Sequence, residues 1–358
     1  MTAPWTPSII ACVIAIQALA SSTAAADSVA DFYKGKTVSI IVGAAEGGGF
    51  DVYARAAARY LPKYLPGSPH FIVQNRPGAG TINAANYVYG VAPQDGTVIA
   101  AISGSAPLLQ IMGEEGPQFD SKKMQWLGSL ASDTGAFYVW NTSKVKSFKD
   151  AFTTQAILGS SGPNVSEIYP ALANNVLGTK FKVIQGYKSG PMVRLAMEGG
   201  EVEGQAQTWD SVKSTTPQWV SEKKINVLAQ IALKPDDELT KMGVPMLMDF
   251  VTREHVLPKY SVEEAQSYFK FMLAGDHFAR PYAVGPGVPA ERVTALRKAL
   301  LATAADPAFV EDVKKAGRQV GMISGEEMQA LIAEVSATPK SVRDNVKELV
   351  KYKGDPNK

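Results

Sequence analysis

The sequence predicts an α/β protein of two domains that ends in a helical segment, and three observations lead to this prediction. Strands buried on both faces alternate with helices near the N-terminus, which is typical of a parallel sheet with right-handed crossovers. A second alternating set begins near residue 135, and the last third of the chain carries mainly helix signals. The chain of 358 residues is long enough for two domains with separate cores.

The first set begins with Thr37–Val42, a continuous apolar and β-branched run that predicts a buried strand. Three glycines at 47–49 separate this strand from an Ala-rich helix over residues 52–61. The later elements of this set are a strand at 71–74, a turn cluster at 75–81, a helix at about 81–91 and a strand at 97–102.

The second set predicts four strands and three helices from the same patterns. The strands are expected at 137–140, 156–159, 181–184 and 225–229, and the helices at about 165–177, 190–199 and 209–222. In the C-terminal third, Pro289 and Pro307 mark helix starts. Ser324 and Glu327 have the spacing of a capping box at the start of another helix.

Residues 1–26 form a separate segment that contains no Asp, Glu, Lys or Arg. An apolar run at 9–16 is followed by small residues that end at Ala26, which predicts a secretory signal peptide cleaved after Ala26. Lipidation at Cys12 and a retained anchor are the alternatives, although the run is shorter than the roughly 20 apolar residues that span a bilayer. Cleavage removes the only cysteine and leaves 332 of the 358 residues.

Composition excludes several classes of protein. With 36 Lys and Arg against 34 Asp and Glu, the net charge of +2 excludes a strongly basic nucleic-acid binder, so we expect no nucleic-acid partner. His70, His255 and His277 are too widely separated for metal-ligand spacing, and we expect neither a metal nor a cofactor.

The glycine run at 47–49 lies between a buried strand and a helix, where α/β sheets place their ligands. Backbone N–H groups at a helix start carry partial positive charge and suit an anion. The run matches neither a P-loop nor the G-x-G-x-x-G pattern. The alternative is a tight strand-to-helix turn with Asp51 as a cap.

Three further segments with small and hydroxyl residues follow predicted strands, at 103–105, 160–164 and 187–190. Together with the glycine run they place such loops at strand ends in both domains, which indicates the walls of one cleft. Hydroxyl and N–H groups without a dedicated Arg favour a carboxylate ligand held by neutral donors. Lys188 is expected to be a solvated surface lysine.

The sequence contains little that is typical of a catalytic site. The chain has no G-x-S-x-G elbow and no cysteine after the expected signal peptide. A triad can also be assembled from distant residues. A secreted hydrolase that uses Ser103, Ser160 or Ser161 is therefore the alternative to a binding protein.

Seven segments match one family of proteins in the same order. Those in the first half read AEGGGFD at 45–51, QNRPGAG at 74–80 and APQDG at 92–96. Those in the second half read LGSSG at 158–162, GYKSG at 186–190, GGEVE at 199–203 and YAVGPGVP at 282–289. The sequence thereby resembles the Bug-type extracytoplasmic solute receptors, the TctC-like binding proteins of tripartite tricarboxylate transporters, and NRPGAG is the most specific part of the match.

The resemblance implies a two-lobed periplasmic-binding-protein fold of the Venus flytrap type, with each lobe a mostly parallel sheet flanked by helices and a helical wrap at the C-terminus. Residues 27–132 and 244–358 are expected to form lobe I, and residues 133–243 lobe II. The resemblance also implies a periplasmic, non-enzymatic receptor, expected to be a monomer, that delivers a small carboxylate to membrane permease subunits. A membrane sensor as the partner is the alternative.

The four loops and the resemblance together define one set of expected ligand-binding residues. They are Gly47, Gly48, Gly49, Phe50, Ser103, Ser105, Ser160, Ser161, Asn164, Ser166, Tyr187, Ser189, Trp209 and Asp210. Three departures from the family pattern leave the identity of the ligand open. Glu46 stands in place of Pro, Phe50 stands in place of Thr, and Glu167 adds a negative charge to the second-lobe loop.

Overall fold

The computed structural model describes residues 29–162, 164–187 and 190–351. Its strands form two mixed sheets with helices packed against them, and we name the parts built on these sheets the first lobe and the second lobe. The expected signal peptide, Cys12, Lys188 and Ser189 lie outside the described residues. Within the described ranges, no helix is both long enough and apolar enough to cross a membrane.

The first lobe is built on a six-stranded sheet. Its elements are β1 (Thr37–Val42), α1 (Gly49–Tyr64), β2 (His70–Asn75), α2 (Ile82–Gly90), β3 (Val98–Ala101), α3 (Ser105–Met112), β4 (Gln125–Ser129), β10 (Pro281–Val284), α10 (Ala290–Ala305), α11 (Pro307–Lys315), β11 (Ile323–Ser324) and α12 (Gly325–Ser336). The strand order is β11-β4-β10-β3-β1-β2. β1 pairs in parallel with β2 and β3, as the sequence predicts, whereas β10 pairs antiparallel with β3 and β4.

The second lobe is built on a five-stranded sheet. Its elements are β5 (Gly135–Trp140), β6 (Ala156–Gly159), α4 (Val165–Leu177), β7 (Phe181–Ile184), α5 (Gly190–Glu198), β8 (Gly204–Thr208), α6 (Trp209–Thr215), α7 (Pro217–Ser221), β9 (Ile225–Ile231) and α8 (Asp237–Lys241). The strand order is β7-β6-β8-β5-β9. β6 pairs in parallel with β7 and β8, and β5 pairs antiparallel with β8 and β9.

Local sequence patterns located seven of the eleven strands in the part of the chain that the structure describes, together with most helices, and the differences have physical reasons. The expected helix at 209–222 is divided into α6 and α7, because Pro217 has no backbone N–H to continue a helix and Thr216 has non-helical angles. β4, β8, β10 and β11 were not predicted. The sequence GQAQT of β8 lacks the β-branched apolar run that marks the other strands.

Two further helices, α9 (Val262–His277) and α13 (Lys340–Leu349), pack where the lobes meet. The Arg343 side chain in α13 donates to the carbonyl of Ile111 in the first lobe. Asn175 Nδ2 in the second lobe donates to the carbonyl of Leu349 at 2.8 Å. Phe269 of α9 belongs to an apolar cluster that contains side chains from both lobes. The C-terminal helix therefore holds the two lobes against a shared core.

The NRPGAG segment forms a left-handed turn that packs on the end of β1. Ala79, Gly80 and Thr81 have φ angles of +46°, +60° and +80°. A side chain at Gly43 would collide with Thr81, so the close approach of this turn to β1 requires glycine at position 43. The turn in turn fixes the loop after β3, because the Ser103 N–H donates to Thr81 Oγ1 at 3.0 Å.

Gly104 sets the spacing between α3 and α9, and this can be tested by substitution. An added β-carbon would collide with the backbone carbonyl oxygens of Gly275 and Phe278. We expect Gly104→Ala to lower the free energy of unfolding by about 1–3 kcal/mol, because backbone must move to admit it. Urea unfolding measures this loss.

Gly90→Ala is the matched control, since a β-carbon at this position in α2 would have no atom within 4 Å. We expect its free energy of unfolding to be equal to or slightly above that of the parent. An equal loss in both variants would contradict the packing argument for Gly104.

Candidate functional site

A cavity of about 280 Å³ lies between the lobes, at the ends of their strands. Its polar wall combines residues from loops at strand ends with residues from the segment between β4 and β5 and from the stretch that leads from α9 to β10. These residues are Ser103 and Ser105 after β3, Asn164 after β6, Asp133 before β5, Asp276 in the last turn of α9, and Arg280 just before β10. The structure thus brings three of the expected ligand-binding residues together with three charged residues that the sequence did not indicate.

The two serines after β3 form a hydroxyl pair at the start of α3. Ser103 Oγ and Ser105 Oγ are 2.8 Å apart, and the Ser105 N–H donates to Ser103 Oγ at 3.3 Å. Ser105 is exposed and Ser103 is partly exposed. Both hydroxyl groups therefore stay accessible to a ligand while the backbone of the loop is held in place.

The loop after β6 is held together by its own polar side chains. Ser160 and Ser166 are 0% and 1% exposed, and their hydroxyl oxygens lie 3.3 Å apart. Ser160 Oγ donates to Glu167 Oε2 at 3.2 Å. Asn164 Oδ1 accepts from the Ser166 N–H at 2.9 Å and caps α4, while Asn164 Nδ2 donates to Ser161 Oγ at 3.3 Å. Ser160 and Ser166 thus lie inside the loop and position Asn164, which lines the cavity.

The glycine loop before α1 is a tight turn held by its own carboxylate. The Gly47 N–H donates to Asp51 Oδ2 at 2.8 Å, and Arg55 Nε and Asn75 Nδ2 each donate to Asp51 at 2.9 Å. Burial alone would raise the pKa of the Asp51 carboxyl, but these three hydrogen bonds hold it below its usual value. The amide of Gly47 is therefore occupied, as in the tight turn that the sequence left open, but the N-cap of α1 is Gly48 and not Asp51.

Arg280 supplies a cation to a site that the sequence predicted to hold only neutral donors. Its guanidinium carbon lies 4.7 Å from the centroid of the Phe50 ring, a cation–π contact with the end of the glycine loop. Nη1 donates to the Ala279 carbonyl at 2.7 Å and lies 3.5 Å from Asp133 Oδ2. Nε is buried with no partner among the described residues. No local pattern marks Arg280, because it reaches the cavity only through the pairing of β10 with distant strands.

Two other expected residues have partners within the second lobe. Tyr187 Oη donates to Glu201 Oε1 at 2.6 Å, and burial together with that carboxylate raises the pKa of Tyr187 to about 12. Trp209 is buried, and its Nε1 donates to Glu238 Oε2 at 3.2 Å. Both side chains are thus engaged in contacts that hold the second lobe together.

Asp210 lines a second cavity of about 600 Å³, which also lies between the lobes. Burial raises the pKa of the Asp210 carboxyl, although Lys213 Nζ is only 3.4 Å away. On the first-lobe side, the Glu327 N–H donates to Ser324 Oγ at 3.1 Å, which is one half of the predicted capping box. The Glu327 carboxylate instead forms an ion pair with Lys234 of the other lobe.

Asp276 is an acidic side chain of the smaller cavity whose pKa is shifted. Burial raises its pKa to about 7 with a contribution from Asp133, even though Tyr169 donates a hydrogen bond to it and Arg280 lies nearby. The Asp276 carboxyl therefore keeps its protonated form to a higher pH than an ordinary aspartate does. In that form it can donate a hydrogen bond to an anion.

The two-lobed fold expected from the sequence is that of the periplasmic binding proteins, and solved structures confirm it. A TctC solute binding protein from Polaromonas has a TM-score of 0.69 at 22% identity, with 87% of this chain and 99% of that chain covered. No protein-family model and no curated protein matches the chain.

Two further solved structures are similar over nearly the same range. The periplasmic binding protein BugD has a TM-score of 0.53 at 20% identity, with 88% of this chain and 98% of that chain covered. The R. palustris protein Rpa4515, solved with adipate, has a TM-score of 0.53 at 18% identity, with 88% and 97% covered. At these identities the likeness establishes the fold, which is that of the TctC and Bug-type periplasmic binding proteins.

The raised pKa of Asp276 makes stability depend on pH in a defined direction. Its pKa is about 7 in the folded protein and has an ordinary value of 3.8, so the folded state binds more protons between these values. Stability from this group is therefore lost as pH rises from about 4 through 7. We expect the free energy of unfolding of Asp276→Asn, minus that of the parent, to increase by about 1–3 kcal/mol from pH 5 to pH 8.

Urea unfolding at both pH values measures this change, and Asp31→Asn at an exposed position controls for the loss of one negative charge. A difference between Asp276→Asn and the parent that is the same at pH 5 and pH 8 would show that the pKa of Asp276 is not raised.

Proposed function

We propose that the chain is an exported solute receptor, which captures a small carboxylate between its lobes and delivers it to a tripartite tricarboxylate-type permease. The observation that carries this proposal is the cavity lined from both lobes, where Ser103, Ser105 and Asn164 lie together with Arg280. The fold shared with solute binding proteins supports the proposal. So does the adipate in the structure of Rpa4515.

The chemistry of the cavity suits a carboxylate attached to a short carbon chain. Hydroxyl groups, the Asn164 amide and the Arg280 guanidinium are hydrogen-bond donors, and the charged donor forms the strongest bonds to a carboxylate. Leu108, Ile168 and Met272 provide apolar surface on the same wall for the carbon atoms. A volume of about 280 Å³ is near the lower end for ligand pockets, which favours a ligand of few carbons.

The proposal includes export and the expected lobe boundaries. The apolar, uncharged segment at 1–26 supports export to the periplasm. Lobe I is proposed to comprise residues 27–132 and 244–358, and lobe II residues 133–243. Strands β1–β4, β10 and β11 belong to one sheet and β5–β9 to the other, which supports this division.

Isothermal titration against a panel of small carboxylates tests the proposal. The panel contains linear monocarboxylates and dicarboxylates of two to six carbons, together with benzoate, glutamate and citrate. We expect saturable binding of at least one member and no chemical change in it. If no member binds, the chain is not a carboxylate receptor.

Ser103→Ala tests whether the smaller cavity is the ligand site. We expect the loss of one hydroxyl donor to weaken binding of the best carboxylate by about 1–2 kcal/mol, or about tenfold in Kd. Ser214→Ala, at an exposed position on α6, is the control and is expected to bind like the parent. Unchanged affinity in Ser103→Ala would place the ligand elsewhere.

A further inference from the structure

Positive charge is concentrated at one end of the second lobe. Three segments there, at 141–155, 178–182 and 222–224, contain seven Lys and two acidic residues and carry a net charge of +5. Because the whole chain carries +2, the rest of the chain has a net charge of −3. We name these three segments together the basic edge.

Hydrogen bonds to the backbone hold the three segments of the basic edge side by side. The Lys180 N–H donates to the Ala151 carbonyl at 2.7 Å. The Asn141 N–H donates to the Lys224 carbonyl at 2.7 Å, and Asn141 Nδ2 donates to the Lys223 carbonyl at 3.0 Å. The first segment thus links the other two, and lysines that are distant in sequence lie at the same end of the sheet.

Most lysines of the basic edge are exposed and have no carboxylate partner. The exposed ones are Lys144, Lys146, Lys149, Lys180 and Lys223. None of these five forms an ion pair with a carboxylate of the residues that the structure describes, whereas Lys224 pairs with Glu222 at 2.7 Å. The basic edge therefore presents unpaired positive charge to solvent.

The other carboxylates at this end of the lobe are engaged with the lobe itself. Asp150 Oδ2 accepts two backbone N–H groups, each at 2.9 Å, and these bonds hold the pKa of Asp150 below its usual value. The Glu203 carboxylate accepts from Ser143 Oγ at 2.9 Å and from the Ile157 N–H at 2.7 Å. These carboxylates serve the local fold and leave the lysine charges exposed.

The composition of the basic edge favours a lipid surface over a protein partner. Protein interfaces are built around aromatic, apolar and Arg anchors and are depleted in Lys. The basic edge contains no Arg, and none of its residues is a large hydrophobic side chain exposed to solvent. Flexible lysines suit the spread negative charge of anionic lipid headgroups, which attracts each Lys near the surface without a fixed geometry.

We propose that the basic edge docks the second lobe onto a membrane surface that contains anionic phospholipid. β6 begins directly after the segment at 141–155, and the loop that positions Asn164 in the smaller cavity follows the end of β6. The basic edge and the cavity therefore lie at opposite ends of this strand. Docking at the basic edge leaves the cavity accessible, so this inference goes beyond the proposed receptor function and does not depend on it.

Sedimentation of the full chain with vesicles tests the proposal. One set of vesicles contains about 30% phosphatidylglycerol in phosphatidylcholine. The other is phosphatidylcholine alone, which reports any binding through the apolar segment at 1–26. At about 0.02 M NaCl, we expect binding to the anionic vesicles to be at least about tenfold stronger than binding to the neutral ones. We expect this preference to be lost at about 0.3 M NaCl, because salt screens exposed charges.

A triple variant, Lys144→Gln, Lys149→Gln and Lys223→Gln, removes three unpaired charges from the basic edge. We expect it to bind the anionic vesicles at least about tenfold more weakly than the parent, because each Lys near the surface contributes to the attraction. The three positions are exposed, so these replacements have little effect on folding.

The matched control is a triple variant, Lys34→Gln, Lys298→Gln and Lys314→Gln, at exposed positions outside the basic edge. It lowers the net charge by the same amount and is expected to keep the affinity for anionic vesicles within about threefold.

Equal binding to anionic and neutral vesicles, or equal losses in the two triple variants, would overturn the proposal. Retention of the protein on immobilised polyglutamate without binding to anionic vesicles would also overturn it, and would indicate an acidic protein as the partner.

Discussion

The backbone pairing between the segment that joins the lobes after β4 and the stretch that leads from α9 to β10 is the constraint on which the site depends. Three hydrogen bonds join residues 130–133 to residues 276–280, with N···O distances of 2.9–3.1 Å. They continue the antiparallel pairing of β4 with β10 beyond the end of the first sheet. Asp133, Asp276 and Arg280 all lie on this paired stretch. These backbone hydrogen bonds therefore fix the positions of the three charged groups of the cavity.

Those three charged groups give the cavity a local electrostatic attraction for an anion and a dependence on pH, neither of which the composition indicates. A net charge of +2 on the whole chain provides little long-range attraction for an anion, so attraction must be local. Asp276 has a pKa of about 7, and a bound carboxylate nearby would raise it further. Binding of an anion is thereby coupled to proton uptake by Asp276. Asp276 in the cavity wall, once protonated, is thus compatible with a carboxylate ligand.

How much could be predicted from the sequence depended on how local each signal was. The strand at Thr37–Val42 and the helix at Val165–Leu177 follow from patterns within a few residues. Arg280 could not be found in this way, because β10 is a four-residue strand that pairs with strands about 150 residues or more away in sequence. Ser160 has the same local pattern as Ser103, yet its hydroxyl serves the loop. Whether a loop hydroxyl is needed by its own backbone or is available to a ligand depends on packing.

Two of the three motifs that carry the resemblance in the first half, AEGGGFD and QNRPGAG, form one structural unit around a buried carboxylate. Asn75 begins the NRPGAG segment, and its Nδ2 donates both to Asp51 in the glycine loop and to the Ala44 carbonyl, each at 2.9 Å. Arg55 Nη2 returns a hydrogen bond to Asn75 Oδ1 at 3.1 Å. Neither segment can hold its conformation without the other, because each satisfies polar groups that the other buries. Their common presence therefore reflects the architecture of the first lobe, whereas Arg280 and the loop hydroxyl groups line the cavity and are the groups from which ligand choice must be argued.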